Sequence, residues 1–252
     1  MPMPSALRPL DWLTARPIAH RGLHDAKNGA IENTRSAFAR AIAQNYAIEC
    51  DLQMAGDGEA VVFHDETLDR LMEGKGRVCD HSAAELQAMA FKSGADRIQT
   101  LGELLDQVQG RVPLVIELKS LWDGNETLAR RAVAVVSNYG GPCCLMSFDP
   151  GVIAEVRRLA PDLVRGIVAD SFTHEDYDNL PEAERGRLRE LAHLGQTEPD
   201  FISYYWRELP LPAVTRFREA GHPVICWTIR SAADIPAALR VSDQITFEGF
   251  LA

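Results

Sequence analysis

The chain has 252 residues, of which 46% are hydrophobic and 25% charged, and a formal net charge of −10. That length and apolar content suit one sizeable domain, because α/β barrels of about 250 residues fold as single units. The acidic balance and lack of a basic stripe argue against a nucleic-acid partner, and an anionic substrate would need a local cation to reverse the global field.

Strand-like and helix-like segments alternate along the chain. Short runs rich in Val and Ile, bounded by turn residues, predict strands at 17–21, 47–53, 114–119, 143–148, 164–169, 201–205, 224–229 and 244–247. Between them lie helices with readable starts. Glu32-Asn33-Thr34 precedes Ala37, Phe38, Ala41 and Ile42, and Thr100 with Glu103 forms a capping-box pattern ahead of Leu101, Leu104, Leu105 and Val108. Asp149-Pro150 and Ser231 open two more. Eight βα units in this length favour a closed (β/α)8 TIM barrel over an open doubly wound sheet. The whole of 1–252 then forms one domain, and 66–100 forms either a small cap or a plain crossover.

One segment breaks the alternation. After the second strand, Ala55-Gly56-Asp57-Gly58 leads into Ala60-Val61-Val62-Phe63-His64-Asp65. Asp-Gly between extended runs signals a β-hairpin. With Asp57-Gly58 as the two central turn residues, Gly56 faces Glu59 and Asp51 lies directly across from His64. Opposed hairpin residues share a face, so His64 returns to the barrel mouth; a slip of one residue would turn it away.

No stretch approaches the ~20 consecutive apolar residues of a membrane-spanning helix. Prolines and Asp11 interrupt any apolar run in 1–17. Cys50, Cys79, Cys143, Cys144 and Cys226 are odd in number and lack a CxxC, which predicts free thiols. These features lead us to expect a cytoplasmic protein without stable membrane insertion. The oligomeric state is not legible.

The chemistry-bearing residues fall where strands should meet loops. On the second strand, alternation puts Glu49, Asp51 and Gln53 on one face and Ile48, Cys50 and Leu52 on the other. Glu117 lies on the next barrel strand, with Lys119 on its face. Convergent carboxylates repel one another unless a cation intervenes or some take up protons, and oxygen-only ligands suit Mg²⁺ or Ca²⁺. The bland alternative for each acid is a salt bridge. His20 and His64 can serve as acid and base near neutrality; they can also be ligands of a softer metal or satisfied interior histidines. Arg21 and Lys119 suit phosphate oxygens, unless Arg21 merely pairs with Glu32 or Asp25. Gly22 suits a tight turn or a close approach of the chain. Glu32 and Asn33 are expected behind His20 or Arg21, or as helix caps. Trp227 is a candidate to line the pocket, with core packing the alternative, and Phe148 and Trp206 are weaker candidates of the same kind. Together these parts suit phosphate-ester cleavage.

The same residues resemble the glycerophosphodiester phosphodiesterase family. The resemblance runs from His20-Arg21-Gly22 through Glu32-Asn33-Thr34, Glu49-Cys50-Asp51, the Asp-Gly hairpin ending in His64-Asp65 and Glu117-Leu118-Lys119 to Trp227-Thr228. It implies a (β/α)8 barrel that hydrolyses glycerophosphodiesters to glycerol 3-phosphate and an alcohol. A divalent cation would sit on Glu49, Asp51 and Glu117, the acid–base pair would be His20 and His64, and Arg21 and Lys119 would face the phosphate. It also implies a cyclic phosphate made by the substrate's own glycerol hydroxyl. Lysophospholipids are the alternative substrate, and an inactive phospholigand-binding barrel is the alternative class. Two departures stand out: Arg230 follows Trp227-Thr228-Ile229, where the family usually has Asn, and the last strand ends Thr246-Phe247-Glu248-Gly249, where it tends to have Thr-Asp. Both are expected near the mouth, clear of the metal and acid–base set, and to bear on the leaving group.

Overall fold

Each of the eight predicted runs becomes a strand, and all eight pair in parallel. A computed structural model describes residues 7–174 and 177–252; residues 1–6, part of the N-terminal stretch read above, lie outside it. The strands are β1 (Ile18–Ala19), β2 (Ala47–Met54), β3 (Ala60–Val62), β4 (Leu114–Leu118), β5 (Cys143–Ser147), β6 (Arg165–Ala169), β7 (Phe201–Tyr205), β8 (Val224–Ile229) and β9 (Gln244–Phe247). Their order is β1-β9-β8-β7-β6-β5-β4-β2-β3, and an additional β1–β2 pairing closes the ring. The result is a (β/α)8 barrel with β3 folded back antiparallel on β2. The open-sheet alternative fails on that closing pair.

Local chemistry sets the element boundaries. β1 is shorter than the predicted 17–21 because Arg21 (φ 54°) and Gly22 (φ 78°) turn the chain immediately after His20. A Cβ at Gly22 would lie 2.9–3.0 Å from Phe38 and Ala37, so the turn also depends on close approach to the following helix. That helix, Arg35–Ala43, is capped by Thr34. The Thr100–Glu103 capping box is formed, and Ser82–Glu85 makes a second. Asp149 accepts from Gly151 N with Pro150 in the first turn. Each such cap contributes about 0.5–2 kcal/mol.

The hairpin differs from expectation by one residue. Leu52 faces Val62, Gln53 faces Val61 and Met54 faces Ala60, while Ala55 N donates to Glu59 O at 2.9 Å. The loop therefore has three residues, Gly56-Asp57-Gly58, with Gly58 at φ 85°, the geometry of a turn closed by a left-handed residue. Asp51 consequently faces Phe63, whose N donates to Asp51 O at 3.0 Å, not His64.

Packing follows the alternation on the strands. Ile48, Cys50, Leu52, Leu114, Ile116 and Leu118 point outward into a core shared with Leu101, Leu104, Val108, Ala132 and Val136 of the surrounding helices. Leu68, Met72, Val78, Leu86, Phe91 and Ile98 form a separate cluster with Ile31, Ala55, Val61 and Phe63. The 66–100 segment thus packs against the hairpin. No helix of the described residues is long and apolar enough to cross a membrane. The five cysteines are free.

Candidate active site

The barrel interior is apolar below and polar above, and single strands carry both layers. Ile18, Ala47, Val115, Met146, Val168, Phe201 and Ile225 fill the lower layer. Two residues further along, at the upper ends of these strands or just past them, stand the polar His20, Glu49, Glu117, Asp170 and Ser203 together with the aromatic Phe148 and Trp227. All of these line one cavity of about 790 Å³, at the C-terminal rim where barrel active sites form.

Glu49, Asp51 and Glu117 are buried, and ligand oxygens from all three lie within 4.8 Å of one another. Strand register accounts for this, since Asp51 pairs with Glu117 across β2 and β4. Lys119 Nζ sits 2.8 Å from Asp51 Oδ1 and 2.5 Å from Glu117 Oε1. Arg21 Nε is 3.5 Å from Asp51 Oδ2, and Arg21 N donates to Glu49 Oε2 at 2.8 Å. Burial raises the Asp51 pKa, but the charges of Lys119, His64 and Arg21 outweigh it and hold the carboxyl well below its usual range. Glu49 takes the opposite course, raised well above its ordinary value by burial and by the charges of Asp51 and Glu117. Crowding of the three acids thus falls on Glu49, while Lys119 and Arg21 hold Asp51 ionised. Three converging carboxylates could hold a hard divalent ion.

Asn33 supports the cluster from behind. Its Nδ2 donates to Asp51 Oδ2 at 2.8 Å, and its Oδ1 accepts from Asp51 N at 3.2 Å. Glu32 caps no helix. Its Oε1 accepts from Arg21 Nη1 at 2.7 Å, and both its oxygens accept from Arg70. Asp25 pairs with Arg40, leaving Glu32 and Asp51 as the acidic partners of Arg21.

Both histidines reach the cavity, by different routes. His20 follows β1, with Nδ1 2.5 Å from Glu248 Oε2 and Nε2 4.0 Å from Glu49 Oε2. Burial lowers its pKa from 6.5, against the opposing hydrogen bond to Glu248. His64 lines the cavity despite the shifted hairpin register because β3 ends at Val62 and the chain bends at His64, outside the pleat. Its Nδ1 lies 2.7 Å from Asp65 Oδ1, and its carbonyl accepts from Gln53 Nε2 at 2.9 Å.

Trp227 and Phe148 line the cavity with their rings 5.7 Å apart and nearly perpendicular. Trp206 does not line it and packs instead against the outer core. Of 66–100, only Glu66 contributes to the lining. The expectation that Glu248 and Arg230 stand clear of the acid–base set is overturned: Glu248 contacts His20 directly, and Arg230 Nε donates to Glu248 Oε1 at 2.7 Å. Sequence reasoning also missed Arg70 and Asp170. The departure at 246–249 was the available signal for Glu248, while nothing local marks Arg70.

The sequence model of the glycerophosphoryl diester phosphodiesterase family matches residues 20–244. A glycerophosphodiester phosphodiesterase of Caldanaerobacter subterraneus is 36% identical over 162 residues, covering 60% of this chain and 65% of that one. Mouse glycerophosphodiester phosphodiesterase 1 is 26% identical over 224 residues, covering 82% and 60%. The chain thus spans less than two thirds of the length of these curated relatives. A phosphodiesterase of Oleispira antarctica, solved with the product sn-glycerol-3-phosphate, shares the fold with a TM-score of 0.75 and 23% identity over 92% of both chains. The family match begins at His20 and runs across nearly the whole barrel, and on that match the chain belongs to the glycerophosphoryl diester phosphodiesterase family.

Proposed function

We propose that the chain hydrolyses glycerophosphodiesters to glycerol 3-phosphate and an alcohol. The observation that carries this reading is the convergence, in one cavity, of three buried carboxylates and two histidines whose Nδ1 atoms each face a carboxylate. Glu49, Asp51 and Glu117 would hold a Mg²⁺ or Ca²⁺ ion. When bound, such an ion neutralises charge on phosphoryl oxygens and polarises an attacking hydroxyl.

The chain's own residues supply the rest. Arg21 and Lys119 offer positive charge to the phosphate, and Glu32 and Asn33 hold Arg21 and Asp51 in place. His20 Nε2 takes the proton of the glycerol 2-hydroxyl as its oxygen attacks phosphorus in line. His64, entering protonated, gives a proton to the departing alkoxide as the P–O bond to the alcohol breaks. Water then opens the cyclic phosphate with the histidines exchanging roles. Burial favours neutral His20 and so favours it as the first base. Phe148 and Trp227 offer an apolar wall to the substrate's carbon atoms.

In this reading, 7–252 acts as one catalytic unit and 66–100 buttresses the hairpin that carries His64. The free thiols suit a reducing cytoplasm, and a small-molecule substrate is the expected partner. Lysophospholipids rank second: of the exposed large hydrophobic side chains described, only Leu121 lines the cavity, which is little purchase for an acyl chain. The test is an assay across glycerophosphodiesters with added Mg²⁺ or Ca²⁺, reading glycerol 3-phosphate. Absence of product with every substrate and both ions overturns the proposal, and faster turnover of lysophosphatidylcholine than of glycerophosphocholine reverses the ranking.

A further inference from the structure

Three barrel strands converge on a contact that the family match does not reach. Glu248 lies just past β9 and outside the matched residues 20–244. Its backbone N donates to Ile229 O of β8 at 3.0 Å, and His20 N donates to Phe247 O at 2.9 Å. The carboxylate is therefore locked to β8 through the main chain while its side chain meets the histidine of β1. Oε2 lies 2.5 Å from His20 Nδ1 and 3.7 Å from His24 Nε2. Oε1 accepts from Arg230 Nε at 2.7 Å, and Arg230 follows β8 directly. Burial raises the Glu248 pKa, but the hydrogen bonds with His20 and His24 and the charges of His20 and Arg230 together outweigh it and hold the carboxyl well below its usual range.

We propose that Glu248, gripped by Arg230, is a positioning residue that fixes His20 in the tautomer protonated at Nδ1. An ionised carboxylate only accepts hydrogen bonds, so the Nδ1 facing it must carry the proton. A neutral imidazole then has its lone pair on Nε2, the nitrogen on the Glu49 side of the ring. A general base needs that lone pair, and a rotated or tautomerised ring cannot provide it. Arg230 neutralises the far oxygen and limits rotation of the carboxyl group. The residues at 230 and 248 thus act on the base itself, one contact behind it. This assignment rests on the reading of His20 as the first base.

The test uses the full chain with Mg²⁺ and glycerophosphocholine, comparing wild type with Glu248→Ala, Glu248→Gln and Arg230→Ala. Loss of an orienting partner costs about 10–100-fold in activity, so Glu248→Ala should lose that much in kcat while KM moves less than about threefold. Glu248→Gln should fall between, because its amide oxygen still accepts from Nδ1–H without the charge, and Arg230→Ala should lose less than Glu248→Ala. Long-range ¹H–¹⁵N correlation spectra, assigned with His20→Gln, should show wild-type His20 protonated at Nδ1 and a mixed or reversed tautomer in Glu248→Ala. Wild-type kcat in a folded Glu248→Ala protein, or a wild-type His20 protonated at Nε2 alone, overturns the assignment. If wild type turns over no glycerophosphodiester, the proposed function fails and the tautomer spectra still decide the positioning role.

Discussion

His20 and His64 present the same contact to the cavity on very different supports. Each brings Nδ1 to a carboxylate that an arginine grips from behind: Glu248 with Arg230 for His20, Asp65 with Arg70 for His64. His20 adjoins a strand of the closed barrel, with its side chain 14% exposed, and ladder hydrogen bonds fix its backbone. His64 stands past the end of the hairpin arm with its side chain 30% exposed. There Arg70 does what the ladder does for His20. It bonds Asp65 through Nε and Nη2 and Glu32 through Nη1 and Nη2, and Glu32 in turn holds Arg21. A histidine carried off the barrel is held by a side-chain network that reaches Glu32 and Arg21, whereas the one on the barrel has its backbone fixed by the ladder and its ring by the Glu248–Arg230 pair.

Removing either imidazole should have the largest effect. His20→Ala and His64→Ala are each expected to lose about 10²–10⁴-fold in kcat, and a near-wild-type rate in one of them would break the symmetry of the pair. Next come the shared carboxylates. Glu49→Gln or Glu117→Gln should weaken Mg²⁺ affinity by calorimetric titration by at least the roughly 10–100-fold that loss of an outer-shell partner costs, with both histidines intact. Glu49 also gives a linkage signature in chelated protein. Its folded pKa is raised, so its contribution to stability is complete below about 4.5 and is lost as pH rises through the folded value. Melting temperature in chelator should fall over that window, and Glu49→Gln should flatten the fall; parallel curves for the two proteins would refute it.

Smaller effects sharpen the difference in support. Arg70→Ala should cost about 10-fold in kcat/KM, with a loss beyond that of Glu32→Gln, because it frees Asp65 as well as Glu32. Equal losses in the two variants would show that Arg70 acts through Arg21 alone. Burial lowers the His20 pKa, so the acid limb of the kcat/KM profile should lie below 6.5, since His20 takes up its proton only at lower pH. A limb at or above 6.5 would mean that His20 is not the group titrating as base.

The hairpin shows where local reading ended. Asp57-Gly58 correctly marked a turn, but a two-residue and a three-residue loop differ by one position in every pair that follows, and Gly58 at φ 85° serves the longer loop. The predicted pairing of Asp51 with His64 failed, yet His64 reached the cavity because the strand had already ended. Glu248 and Arg230 were visible as departures from the family pattern, but their contact with His20 was not. That contact spans 228 positions and exists only because β1 closes against β9.

The sequence by itself determined the eight strands, their inward and outward faces, and the acids and imidazoles at their upper ends, because period-two alternation and turn chemistry are local. Only the tertiary structure decided which charges meet. Ring closure, strand register and the bend after β3 brought Lys119 between Asp51 and Glu117, Arg70 between two acidic residues, and Glu248 to His20. These contacts are hydrogen-bonded pairs that need separations of about 3 Å, and spacing along a chain does not encode distances of that size between different strands.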